Sequence, residues 1–292
     1  MEIALERIRN CADGKLNLNN LGLTELPPLP DNLIVFGCSS NLLTSLPPLP
    51  SSIKYLIIGG NKLTVLPELP ASLESLFCPN NRLTSIPNLP SSCKQLDCSG
   101  NDLTHLPELP ASLEMCVCKY NKITVLPSLP SNLYRLACSN NNLSSLPELP
   151  SYLHSLECAN NHLTTLPSLP ATIRFLECSN NKIRILPIPE ILIMIACQGN
   201  PIDILPEFPD SVMALAYSHP MDNSCRMYEG TNPEIIQRIN QENRDCMIRL
   251  AQESKERAHE RCKAYKEEIM MKVWHPSRIE KLLEMGYDME DM

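Results

Sequence analysis

The sequence predicts an α/β fold: a right-handed solenoid of about eleven rungs with a parallel inner sheet and a polyproline-like convex back, flanked by an N-terminal capping helix and a C-terminal helical tail. Three observations predict it. Asparagine stands at Asn41, Asn61, Asn81, Asn101, Asn121, Asn141, Asn161 and Asn181, a spacing of 20 without a slip, and Asn200 arrives one residue early. Around each runs one phrase of the form L-x-x-L-x-L/C-x-x-N-x-L, and after it comes Leu-Pro-x-Leu-Pro. A fixed period of this length marks stacked repeats, and the phrase is the leucine-rich-repeat pattern.

The chain opens with Met1-Glu-Ile-Ala-Leu-Glu-Arg-Ile-Arg-Asn10, a charged amphipathic stretch that reads as a capping helix within residues 1–14 and not as a signal peptide. The solenoid is expected over 15–220. Each rung begins with alternating apolar and variable residues, as a short half-buried strand does. In the rung at Leu133, the residues Leu133, Leu136 and Cys138 should point inward, with Arg135 and Ala137 outward. Strands about 4.8 Å apart would give an inner sheet roughly 50 Å long. The asparagine then turns the chain, because its amide both donates and accepts to backbone groups that the turn leaves unpaired. Stacking would make these amides an internal ladder with a structural role. The proline pairs hold the back extended, since each fixes φ and biases the residue before it toward extended geometry.

Eight of the 14 cysteines (Cys38, Cys78, Cys98, Cys118, Cys138, Cys158, Cys178 and Cys197) share the inward sixth position. A buried thiol there acts as a small hydrophobe. No C-x-x-C occurs, so no zinc site is expected, and unpaired thiols imply a reducing compartment, the cytoplasm. No catalytic, cofactor or metal residues emerge: there is no Gly-rich phosphate loop, Ser/His/Asp set or metal spacing. The formal charge of −8 divides into 13 basic and 18 acidic residues over 1–220 and 12 and 15 over 221–292. Without a basic excess in either part, nucleic acid is not the expected partner. No stretch approaches the length of a membrane span.

Function on a repeat protein is expected on the concave sheet, where variable residues face outward. There Tyr55, Ile57 and Phe77 form an apolar patch with Val35 and, past Asp97, with Met115 and Val117. Aromatic residues ringed by polar ones suit a protein-binding hot spot, although β-propensity alone also favours them on strands. Glu157 and Glu177 fall side by side as an unscreened acidic pair. They fit a basic partner or a plain solvated face.

The 20-residue rung and its L-P-x-L-P back resemble the LPX-type leucine-rich-repeat proteins first known as secreted bacterial effectors, over residues 3 to about 217. The resemblance implies a protein-interaction scaffold. Some members of that group carry a C-terminal ubiquitin-ligase domain with a catalytic Cys-x-Asp. Here the only such triplet is Cys11-Ala12-Asp13, ahead of the repeats, and the ligase activity is not carried over. Part of a ligase system, or a structural virion component, stays open as an alternative.

Residues 221–292 turn to Glu, Lys, Arg and Met and form the helical region. Asn232-Pro233-Glu234 is a helix start, with an N-cap, a proline at the first position and an early acid. The helix should reach about Val273, with Ile235, Ile236, Ile239, Met247 and Leu250 as its early apolar stripe and Gln252 to Lys263 in solvent. A shorter helix is expected from Ser277 to Met285. Trp274 to Tyr287 is similar to tails of giant DNA virus proteins, which implies a viral product acting in an infected cell's cytoplasm. The helices could also pair two copies of the chain.

Overall fold

The computed structural model describes residues 1–203, 206–218 and 225–273, with side chains omitted at 259, 262 and 264–273. Pro220, Trp274, His275 and the helix expected over 277–285 lie outside the described residues. The contacts divide the chain into two units, Met1–Asn240 and Gln241–Met292.

In the first unit, α1 (Glu2–Arg9) leads into the rungs. It buries Ala4 against the first rung, and Arg7 donates to the Asn17 carbonyl at 2.8 Å. The strands are β1 (Lys15–Asn17), β2 (Val35–Gly37), β3 (Tyr55–Ile57), β4 (Ser75–Phe77), β5 (Gln95–Asp97) and β6 (Met115–Val117). They continue through β7 (Arg135–Ala137), β8 (Ser155–Glu157), β9 (Phe175–Glu177), β10 (Met194–Ala196) and β11 (Ala214–Ser218). Neighbours pair in parallel and in chain order, each residue opposite its counterpart one repeat away. The middle residue of each strand is buried, as the period-two pattern requires.

The rung asparagines form the expected ladder. Asn141 Oδ1 accepts from the Ile123 amide at 3.0 Å, and its Nδ2 donates to the carbonyls of Cys118 and Cys138 at 3.0 Å each. Each amide thus ties its own turn to the rung before it. The pattern repeats from Asn41 to Asn200. The residue ahead of each ladder asparagine adopts left-handed backbone geometry, as in Asn140 (φ 59°) and Gly100 (φ 64°).

The convex back between β1 and β11 has no helix among the described residues and turns through bonds such as Leu73 N–H to the Pro70 carbonyl at 3.0 Å. A second ladder, unforeseen from the sequence, runs along it. Ser72 Oγ donates to the Ser51 and Ile53 carbonyls at 2.7 Å, and Ser52, Ser92 and Thr172 repeat the motif. Tyr152 occupies the same position and interrupts the series.

The sheet does not end with its last parallel strand, β11. β12 (Cys225–Glu229) adds an antiparallel strand with Ala214 opposite Glu229 and Ala216 opposite Met227. α2 (Pro233–Val273) follows, its first turn capped by Asn232 Oδ1 accepting the Ile235 amide at 2.9 Å. Ile236 and Ile239 enter the core, and Asn240 pairs with both the N–H and the carbonyl of Phe208 at 2.9 and 2.8 Å. Phe208 packs tilted against Tyr217, which stacks on Tyr228, and the three rings close the last rung. In the second unit, the described side chains from Gln252 to Lys263 are exposed. Among the described residues, no helix is long and apolar enough to cross a membrane.

Candidate protein-binding face

On the concave sheet the structure brings Val35 opposite Tyr55 and Ile57 opposite Phe77. Tyr55 is 39% exposed and Ile57 37%, while Val35 and Phe77 are half-buried. Ser75, between Tyr55 and Gln95, is covered and donates to Gln95 Oε1 at 3.2 Å. Met115 and Val117, also half-buried, are separated from the patch by Gln95 and Asp97.

Glu157 and Glu177 are in register on neighbouring strands, but the pair is not unscreened. Glu157 is ion-paired to Lys119 and to Arg135, the latter at 2.9 Å. Burial raises the Glu157 carboxyl pKa, but the hydrogen bonds and charges of Lys119 and Arg135 outweigh it and hold the group below its ordinary value. The cations come from rungs one and two repeats back, a reach that reading along one column of the sequence does not show. The Lys119–Glu157 bridge spans the intervening rung, where Ala137, expected outward, is fully covered.

The structure also shapes a depression at the other end of the same face, with a volume of about 770 Å³. Its floor contains Ala196, Ala214 and Ala216, whose small side chains leave space above the strands. Phe175 and Met194 stand beside them, 43% and 47% exposed, and Met227 rises from β12 at 70%. Tyr152 and His154 join from the rung before, in an edge contact with ring centroids 5.0 Å apart. Phe175 and Met194 occupy the same outward repeat position as Tyr55 and Arg135, so the rung pattern alone marks them as outward-facing. The other wall was not, because nothing in Cys225–Glu229 repeats the rung pattern. Tyr152 left a signal in the sequence: it departs from the Ser/Thr/Asn found at this position in most other rungs.

The eight ladder cysteines are buried, and all 13 described cysteines are free. Burial pushes the thiols of Cys38 and Cys197 up to about 12. Such thiols are poor nucleophiles and poor metal ligands. No metal-binding cluster occurs among the described residues.

No protein-family model matches the chain, and no curated protein matches it. Solved structures do. YopM from Yersinia enterocolitica is 38% identical with a TM-score of 0.71, the match covering 74% of this chain and 49% of that one. YopM from Yersinia pestis, described as a leucine-rich effector protein, is 39% identical with a TM-score of 0.70, over 73% and 63% of the two chains. The functional domain of InlJ from Listeria monocytogenes, described as including a cysteine ladder, is 27% identical with a TM-score of 0.58, over 67% and 46%. The match therefore spans about half to under two thirds of the two Yersinia chains.

Proposed function

The chain is a leucine-rich-repeat protein similar in sequence and fold to bacterial effectors, and on that footing we propose that it is a non-catalytic scaffold gripping a protein partner on its concave face. The observation that carries this reading is the contiguous apolar patch of Tyr55 and Ile57, with Val35 and Phe77 in register beside them. These side chains project away from the core, so core packing does not require them to be large and apolar. Met115 and Val117 extend the same face, and Glu177 offers a charge to a basic partner, whereas Glu157 is already neutralised. The free ladder cysteines suit a reducing compartment, and we place its action in the cytoplasm of a cell, a host cell if it is a viral or effector protein.

The test is affinity capture with wild type and with a Tyr55→Ala, Ile57→Ala, Phe77→Ala variant. Each change should weaken capture by about 1–2 kcal/mol while leaving folding intact. Glu108→Ala on the convex side should change nothing. A triple variant that stays folded and retains the same partners would place binding elsewhere.

A further inference from the structure

We propose that the depression at the C-terminal end of the concave face is a docking groove for a basic partner segment carrying a large apolar side chain. This deepens the scaffold reading and rests on it, but it concerns different residues.

The apolar part of the argument is one of shape. Three alanines floor a hollow between Phe175 and Met194 on one side and Met227 on the other. Its volume of about 770 Å³ lies within the range of sites that enclose a ligand group, roughly 300–1,000 Å³. Substantially exposed Phe and Met side chains gain by covering each other's surface with a partner's apolar group. Tyr152 adds to this wall at the cost of the hydroxyl ladder, whose paired bonds Thr172, one rung on, retains.

Charge then selects the partner. Glu177 and Glu229 line the groove from β9 and β12, and neither has an ion pair or side-chain hydrogen bond among the described residues. The nearby Arg135 is committed to Glu157. His154 is engaged through Nδ1 with the Tyr152 carbonyl at 2.6 Å. A cation therefore finds two carboxylates, uncompensated among the described residues, diagonally across the hollow, while an acidic segment would be repelled by both. Arg or Lys flanking a Phe, Leu or Met matches that arrangement.

The experiment is fluorescence anisotropy on the full chain with three labelled peptides. One alternates Arg with Phe, the second replaces Arg by Glu, and the third replaces Phe by Ser. Saturable binding of the Arg–Phe peptide alone, weakened by added salt, is the expected result. Phe175→Ala with Met194→Ala should weaken it about tenfold or more, the scale of hot-spot loss, with an unchanged melting temperature. Tyr152→Ser should weaken it while restoring the ladder, so its loss of binding cannot be ascribed to unfolding. Glu177→Lys with Glu229→Lys should reverse the preference toward the Glu–Phe peptide. No saturable binding, equal binding of the acidic and basic peptides, or undiminished binding by the folded groove variants would each overturn the proposal. The Tyr55/Ile57/Phe77 variant should bind the peptide as wild type does. Loss of binding there, with retention in the groove variants, would sink the groove while leaving the N-terminal patch standing.

Discussion

The Arg135 guanidinium donates to Glu157 Oε1 at 2.9 Å across one rung boundary, and Lys119 reaches the other carboxylate oxygen from one rung further back. This triad offsets the repulsion that Glu157 and Glu177 would otherwise exert on adjacent strands.

Replacing Glu157 with Gln should therefore destabilise the protein by about 1–2 kcal/mol at neutral pH, the range of roughly 1.5–3 for hydrogen bonds to charged groups reduced by solvent screening at the 41% exposed Arg135. The sign with pH follows from the depressed pKa of the folded state. The carboxylate's contribution is complete above its unfolded value of about 4.3 and disappears as pH falls through the lower folded value. Denaturation midpoints of wild type and Glu157→Gln should differ at pH 7 and converge in acid. A gap that persists unchanged at low pH would assign the effect to packing instead.

The ladder cysteines should resist alkylation in the native protein. Burial raises the thiols at Cys38, Cys98, Cys138 and Cys158, which keeps the reactive thiolate scarce. Cys225, exposed on β12, should react promptly and so provides an internal control. Mass spectrometry of alkylated peptides with and without denaturant checks this. Rapid native labelling of Cys138 or Cys158 would contradict the packing described.

Asn161→Ala should cost about 1–3 kcal/mol, the penalty for leaving buried backbone groups unpaired. Its amide serves the Leu143 N–H and the Cys138 and Cys158 carbonyls at 3.0–3.1 Å. Asn121→Ala, at a half-buried position with the same partners in its own rung, should cost less because water can replace part of the amide. Urea denaturation of the two variants gives the comparison, and an unchanged midpoint for Asn161→Ala would refute the ladder's structural role.

What the sequence made legible was whatever repeats. The rung period placed the inward leucines, the cysteines and the asparagine ladder, because every copy votes for the same geometry. Asn232-Pro233-Glu234 announced α2 through local capping chemistry alone. The unforeseen parts depend on contacts between non-equivalent positions. Lys119 and Glu157 are 38 residues apart and occupy different columns of the repeat. β12 pairs antiparallel with β11 and has no counterpart in any rung. The hydroxyl ladder at Ser52, Ser72 and Ser92 also recurs at the rung period, but serine shortly after a proline reads as ordinary turn composition until its two carbonyl partners are seen. Of the candidate faces, the Tyr55 patch is visible in the order of outward residues, whereas the C-terminal groove needs the β12 wall.

Tyr120 stands in the left-handed column at φ 54°, where most other rungs place Asn or Gly. A side chain with a Cβ pays about 1–2 kcal/mol in that region, and Asn is among the few that offset it through local hydrogen bonding. Tyr120 is 63% exposed, so packing returns little of that cost. Tyr120→Asn should accordingly stabilise the protein by about 0.5–1 kcal/mol, seen as a higher denaturation midpoint with an unchanged slope. Tyr120→Gly should gain less, because the greater freedom of the unfolded glycine opposes the relief of strain. Tyr120→Val should lose stability, since a β-branched residue tolerates positive φ least. The order Asn above Gly above Tyr above Val is the specific expectation. A midpoint for Tyr120→Asn below that of wild type would mean that the tyrosine ring contributes more to the folded state than its exposure indicates.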